Sequence, residues 1–124
     1  MQTLVTGANG HLGFNLVQTL RAAGHRVRAG VRTLADPQRV GPLQALDGVE
    51  PVEAELGRPD QLRAAMDGVD VLFHAAAVFA YVAPGREQEI LDAGIRGTET
   101  ALRAAAEAGV RKVVLTSSVI TLPF

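Results

Sequence analysis

Five short runs rich in β-branched residues alternate along the chain with four longer stretches of helical periodicity. The runs fall at residues 4–6, 27–31, 49–54, 69–74 and 113–116, and each but the last is followed by a helix-like segment. A strand–helix–strand unit of this length returns the second strand parallel to the first, with a right-handed crossover. The order βαβαβαβαβ therefore predicts a doubly wound α/β fold, with one parallel sheet covered on both faces. Residue punctuation agrees. Leu12, Leu16 and Leu20 recur every fourth residue and predict one buried stripe on a helix over 11–23, closed by Gly24. Asp36-Pro37 opens a second helix, with Asp as cap and Pro in the first turn, and Gly48 ends it. A short helix over 59–67 stops at Gly68. After Pro84-Gly85 a long helix runs to about Ala108, with Ile90, Gly94, Ile95, Thr98, Ala101, Leu102 and Ala105 on one face.

Composition narrows the functional classes. A chain of 124 residues makes one domain, and no linker or internal repeat divides it. A hydrophobic fraction of 48% excludes an intrinsically disordered chain, and a net charge of −1 argues against nucleic acid as partner. The absence of Cys excludes disulfides and thiolate metal sites, and His11, His25 and His74 lack ligand spacing, so no metal is expected. The apolar run over 71–83 is too short to span a bilayer, and the N-terminus has no signal-peptide pattern, so no membrane association and a cytoplasmic location are expected.

The segment Thr6-Gly7-Ala8-Asn9-Gly10-His11-Leu12-Gly13 joins the first strand to the first helix. A first glycine there permits a tight turn, a second lets the backbone approach a pyrophosphate, and a third lets the helix pack close to the strand. The helix start adds free N–H groups and the positive end of its dipole. Gly7, Asn9, Gly10, His11, Leu12 and Gly13 are accordingly candidate phosphate-binding positions. No acidic residue that would take a ribose 2′-OH follows at the end of the second strand. The strand ends Gly30-Val31-Arg32, and the Arg32 guanidinium suits a 2′-phosphate. Ala75, Ala76 and Ala77 after the fourth strand are small enough for a dinucleotide to lie across the sheet. His74 is expected to be a strand-end histidine satisfied by nearby backbone.

The T-G-x-x-G-x-x-G run resembles the extended branch of the short-chain dehydrogenase/reductase superfamily. Three further segments carry the same resemblance: His74-Ala75-Ala76-Ala77, Ile95-Arg96-Gly97-Thr98, and the stretch from Ala108 to Ser118. The nearest subgroup is that of the dihydroflavonol-reductase-like proteins and related NAD(P)-dependent epimerases. The resemblance implies a Rossmann-type sheet of five strands in the order 3-2-1-4-5, incomplete relative to the family, and makes 1–124 an NAD(P)-binding domain. It implies NADP as cofactor, with NAD second. Arg39 matches a second basic position of the reductases. Glu55 and Leu56 stand where the family has an Asp-Leu whose Asp meets the adenine.

The same resemblance makes Ser118 the family's catalytic serine, flanked by Thr116 and Ser117 at the cofactor site. The family's Tyr-x-x-x-Lys pair does not occur: Tyr81 is the only Tyr, and Lys112 the only Lys. Gly94 replaces an Asn that helps hold a relay water in many members. The chain is thus expected to be the cofactor-binding part of an NADP-dependent reductase or epimerase. Its longer relatives would act on a small-molecule carbonyl or nucleotide-sugar-type substrate. A non-catalytic dinucleotide-binding sensor or interaction module is the alternative.

The fifth strand, Val-Val-Leu-Thr, carries no charge and would form a sheet edge, a template for pairing with another chain. The 124-residue chain is therefore expected to form a homodimer or to self-associate when expressed alone. Size-exclusion chromatography with light scattering over a range of concentrations checks this, and a concentration-independent monomer would refute it.

Overall fold

In the computed structural model, residues 1–77 and 84–123 are described. The elements follow in the order β1 (Gln2–Thr6), α1 (His11–Ala22), β2 (Arg26–Val31), α2 (Pro37–Gln44), β3 (Val49–Glu53), α3 (Pro59–Met66), β4 (Val71–His74), α4 (Glu87–Glu107) and β5 (Lys112–Leu115), with a short 3-10 turn over Val119–Thr121. All strand pairs are parallel, in the order β3-β2-β1-β4-β5. The predicted doubly wound sheet is thus the observed one.

Alternation along β1 divides the core in two. Leu4 joins Leu62, Met66, Leu72, Ala104 and Ala105 beneath α3 and α4. The next residue, Val5, joins Val17, Val27, Ala29, Val31, Val40 and Leu43 beneath α1 and α2. Successive side chains of a strand point to opposite faces, so the central strand is buried on both. Asp36 caps α2 as expected, accepting from the N–H groups of Gln38 (3.1 Å) and Arg39 (3.4 Å). Such a cap contributes about 1 kcal/mol. Arg28 fastens β2 to the end of α3 by donating to the carbonyls of Ala65 and Asp67, and it pairs with Glu50 at 3.2 Å.

Two helix faces differ from expectation. On α1 the buried residues are Gly13 and Val17, while Leu12 is 47% exposed and Leu16 and Leu20 only pack from the side. A four-residue step overshoots a full turn by about 40°, so a strict i, i+4 row drifts off the contact line. The tight fit at Gly13 decides where that line runs. On α4 the buried residues are Gly97, Ala101, Ala104 and Ala105, and Ile95 and Leu102 are exposed. A Cβ at Gly97 would stand 3.1 Å from Leu56 Cδ1, so the small residues make the close contact and the larger ones are displaced to the flank. No helix among the described residues is long and apolar enough to cross a membrane.

The link between β1 and α1 rests on main-chain contact. A Cβ at Gly13 would collide with the Gly7 carbonyl and stand 2.9 Å from Ala8 Cα, whereas one at Gly10 would meet only the Gly7 oxygen at 3.3 Å. Both neighbours of Gly13 are backbone and cannot rotate away. Gly13→Ala is expected to destabilise the fold by about 3 kcal/mol, at the upper end of overpacking costs, and Gly10→Ala by much less. Thermal unfolding followed by circular dichroism compares the two. Equal melting temperatures would show that α1 is free to shift.

Candidate functional site

The carboxyl ends of β1, β2, β3 and β4 surround a cleft of about 420 Å³. Its first wall is the turn after β1. Gly7 has φ +66°, a conformation that costs glycine little, and a Cβ there would lie 2.9 Å from Ala76 Cα. The turn is closed by the Gly10 N–H donating to the Gly7 carbonyl at 3.0 Å. The Ala8 N–H donates to the Gly30 carbonyl at 3.0 Å and ties the turn to the end of β2. Asn9 and Gly10 face the cleft from this side.

The second wall comes from β2 and β3. Gly30, Val31 and Arg32 line it, with Ala54, Glu55, Leu56 and Gly57 opposite and Arg39 contributed by α2. A Cβ at Gly30 would stand 3.0 Å from Ala54 Cβ, so a glycine lets β2 and the end of β3 pack closely at the base of this wall. Arg39 is engaged with Asp36 at 3.4 Å. Arg32 is exposed and holds no ion pair or side-chain hydrogen bond among the described residues. Ala75, Ala76 and Ala77 complete the lining from β4.

Behind this lining Thr6 and His74 form a buried pair. The Thr6 hydroxyl lies 2.9 Å from His74 Nδ1 and accepts from the Ala76 N–H at 3.2 Å. The expectation that backbone would satisfy this ring is corrected: Nδ1 is partnered by a side chain 68 residues away, and Nε2 is buried with no partner among the described residues. Backbone contact at His74 is made through its carbonyl, which accepts from the Thr116 N–H at 3.1 Å.

Of the candidate residues, the cleft brings together Gly7, Asn9, Gly10, Arg32, Arg39, Glu55, Leu56, Ala75, Ala76 and Ala77. His11 and Leu12 head α1 beside the cleft but do not line it, and Gly13 is buried beneath the turn. Thr116, Ser117 and Ser118 follow β5, are exposed, and are not among the residues that line the cleft. Tyr81 lies outside the described residues. Gly30, Val31, Ala54 and Gly57 line the cleft without having been singled out. The signal that would have found Gly30 and Ala54 is a small residue at the carboxyl end of consecutive parallel strands.

A parallel sheet with a glycine turn and a helix N-terminus at one end of a cleft, and an arginine at the other, defines a dinucleotide-binding class of domain. The comparisons agree. A family model described as NAD(P)H-binding matches residues 7–122. Sterol demethylase protein B of Methylococcus capsulatus is 45% identical over 120 residues, which are 95% of this chain and 34% of that protein. Dihydroflavonol 4-reductase of Zea mays is 36% identical over 124 residues, 96% of this chain and 35% of that protein. The crystal structure of a short-chain dehydrogenase/reductase superfamily protein from Agrobacterium tumefaciens with bound NAD superposes with a TM-score of 0.74 at 32% identity, covering 95% of this chain and 33% of that one. The chain belongs to the NAD(P)H-binding family, within the extended short-chain dehydrogenase/reductase superfamily. It spans about a third of the length of the curated relatives it matches.

His74 sets a pH dependence. Burial favours the neutral ring and pushes its pKa below the ordinary value of 6.5. The unfolded chain takes up a proton that the folded one refuses, so this stability is fully present above about pH 6.5 and is lost as pH falls toward the folded pKa. Melting temperatures of wild type should drop between pH 7 and pH 5 more steeply than those of His74→Asn. Equal slopes would show that the ring is not buried neutral.

Proposed function

We propose that the chain is the cofactor-binding part of an NADP-dependent reductase or epimerase of the extended short-chain type, located in the cytoplasm. The observation that carries the choice of NADP is Arg32: a guanidinium on the cleft wall with no carboxylate partner among the described residues, at the strand end where NAD-binding relatives need an acid. The residues present fit such a cofactor. Above the Gly7 turn, the N–H groups of Asn9 and of His11 and Leu12 at the start of α1 would hold the pyrophosphate, and Gly10, whose own N–H is taken by the Gly7 carbonyl, would let the backbone approach it. Gly7 and Gly30 let the turn pack against Ala76 and β2 pack against Ala54 at the base of the cleft. Arg32, supported by Arg39, would take the 2′-phosphate, and Glu55 and Leu56 would meet the adenine. Ala75, Ala76 and Ala77 would pass the dinucleotide over the end of β4.

When bound, the nicotinamide supplies hydride for interconversion of a carbonyl and an alcohol. Ser118 would orient the substrate oxygen, with Thr116 and Ser117 beside it. Proton transfer at that oxygen needs a further acid–base group, which the Tyr-Lys pair supplies in the family. The names of the relatives, reductases among them, support a small-molecule carbonyl substrate. A nucleotide sugar is the other candidate, since a structural neighbour is a UDP-glucose-4-epimerase with bound NAD and a UDP-sugar.

A charge-assisted Arg–phosphate contact is worth about 1.5–3 kcal/mol, or tenfold to a hundredfold in affinity. Wild type should bind NADP(H) more tightly than NAD(H) by about that factor, and Arg32→Asp should abolish the preference. Calorimetric titration of both nucleotides against both proteins checks this. Equal affinities in wild type would make NAD the better assignment.

A further inference from the structure

The two loops that carry Arg32 and Glu55 leave the sheet side by side. Their last ladder bond is the Ala54 N–H donating to the Val31 carbonyl at 2.8 Å. Beyond it no backbone hydrogen bond among the described residues joins the two loops. A side-chain relay does. Glu53 accepts from the Leu34 N–H at 3.3 Å with one carboxylate oxygen. With the other it accepts from the Gln61 amide nitrogen at 3.1 Å. The Gln61 carbonyl oxygen in turn accepts from the Glu55 N–H at 3.1 Å. Three segments are thereby joined: the loop after β2, the loop after β3, and the first turn of α3. Both Glu53 and Gln61 are half-buried, and neither lines the cleft.

We propose that Glu53 and Gln61 are positioning residues that set the spacing between Arg32 and Glu55, and so the fit of the adenosine end of a bound dinucleotide. The proposal rests on the dinucleotide reading above. Leu34 is two residues from Arg32, and the bonded amide of Glu55 belongs to the wall itself. Loss of the relay frees both walls at once, and the ligand must then order them on binding.

The donor and acceptor pattern gives a sharp test. In Glu53→Gln, an amide donor faces the Gln61 donor, and turning the Gln61 amide only moves the mismatch to the Glu55 N–H. In Gln61→Glu, two carboxylates face each other. In the double variant the relay closes again with its polarity exchanged. The amide now at position 53 accepts from the Leu34 N–H and donates to the carboxylate now at position 61, which accepts from the Glu55 N–H.

Each single variant should weaken binding of NADPH or NADH, whichever wild type binds more tightly, by about tenfold, and E53Q/Q61E should return to within about twofold of wild type. Amide exchange at Leu34 and Glu55, read by NMR without nucleotide, should quicken in the singles and recover in the double. Unchanged affinity in the singles overturns the proposal. So does a double variant no better than the singles: the exchange restores both the net charge of the pair and its donor–acceptor match, so failure to recover would leave packing lost at either position as the cause. Wild type that binds neither nucleotide overturns the dinucleotide reading, and the proposal with it.

Discussion

The contact on which the rest depends is the meeting of two main chains where β1 gives way to α1. Gly13 lies so close over Gly7 that no side chain fits between them, and Gly7 in turn lies close against Ala76. Three elements are thus locked at one point with no side chain as spacer. That fixes where α1 begins relative to β4, and it aims the unsatisfied N–H groups of the helix start along the open end of the sheet. The Thr6–His74 pair and the Ala76 N–H reinforce the junction from beneath.

Electrostatics sorts the arginines by where their charge can be used. Arg21 donates to the carbonyls of Asp47 and His25, and Arg28 donates to those of Ala65 and Asp67, so both spend their donors on main-chain oxygens. Arg39 and Arg58 are held by near neighbours, Asp36 and Asp60. The hydrogen bond from Arg58 holds the Asp60 carboxyl below the usual range, a local effect on an exposed pair. Arg32 lines the cleft and forms no ion pair among the described residues, which leaves its charge available there.

Much of this was legible in the sequence because it depends on local rules. Strand–helix alternation with right-handed crossovers leaves few topologies, and the Asp36-Pro37 cap and the glycine turn are written in consecutive residues. Arg32 could be picked out by its distance from the glycines. What escaped depends on contacts distant in sequence. That Val17 and not a leucine of α1 is buried is decided by the depth of Gly13 against Gly7. The partner of His74 lies on another strand. The hydrogen bonds of Glu53 and Gln61 require β3, α3 and the loop after β2 to be placed together first.

The strand order has a consequence of its own. From β1 the chain crosses to β2 on one side and, after β3, returns to β4 on the other, so helices depart in opposite directions and neither set covers the strand ends between them. The opening is a property of the path the chain takes, and the side chains around it only colour its chemistry. Cleft residues such as Arg32 and Glu55 carry little of the core, whose members lie beneath the helices. A lineage built on this frame can therefore change what it recognises by altering a few rim positions while leaving its folding machinery untouched.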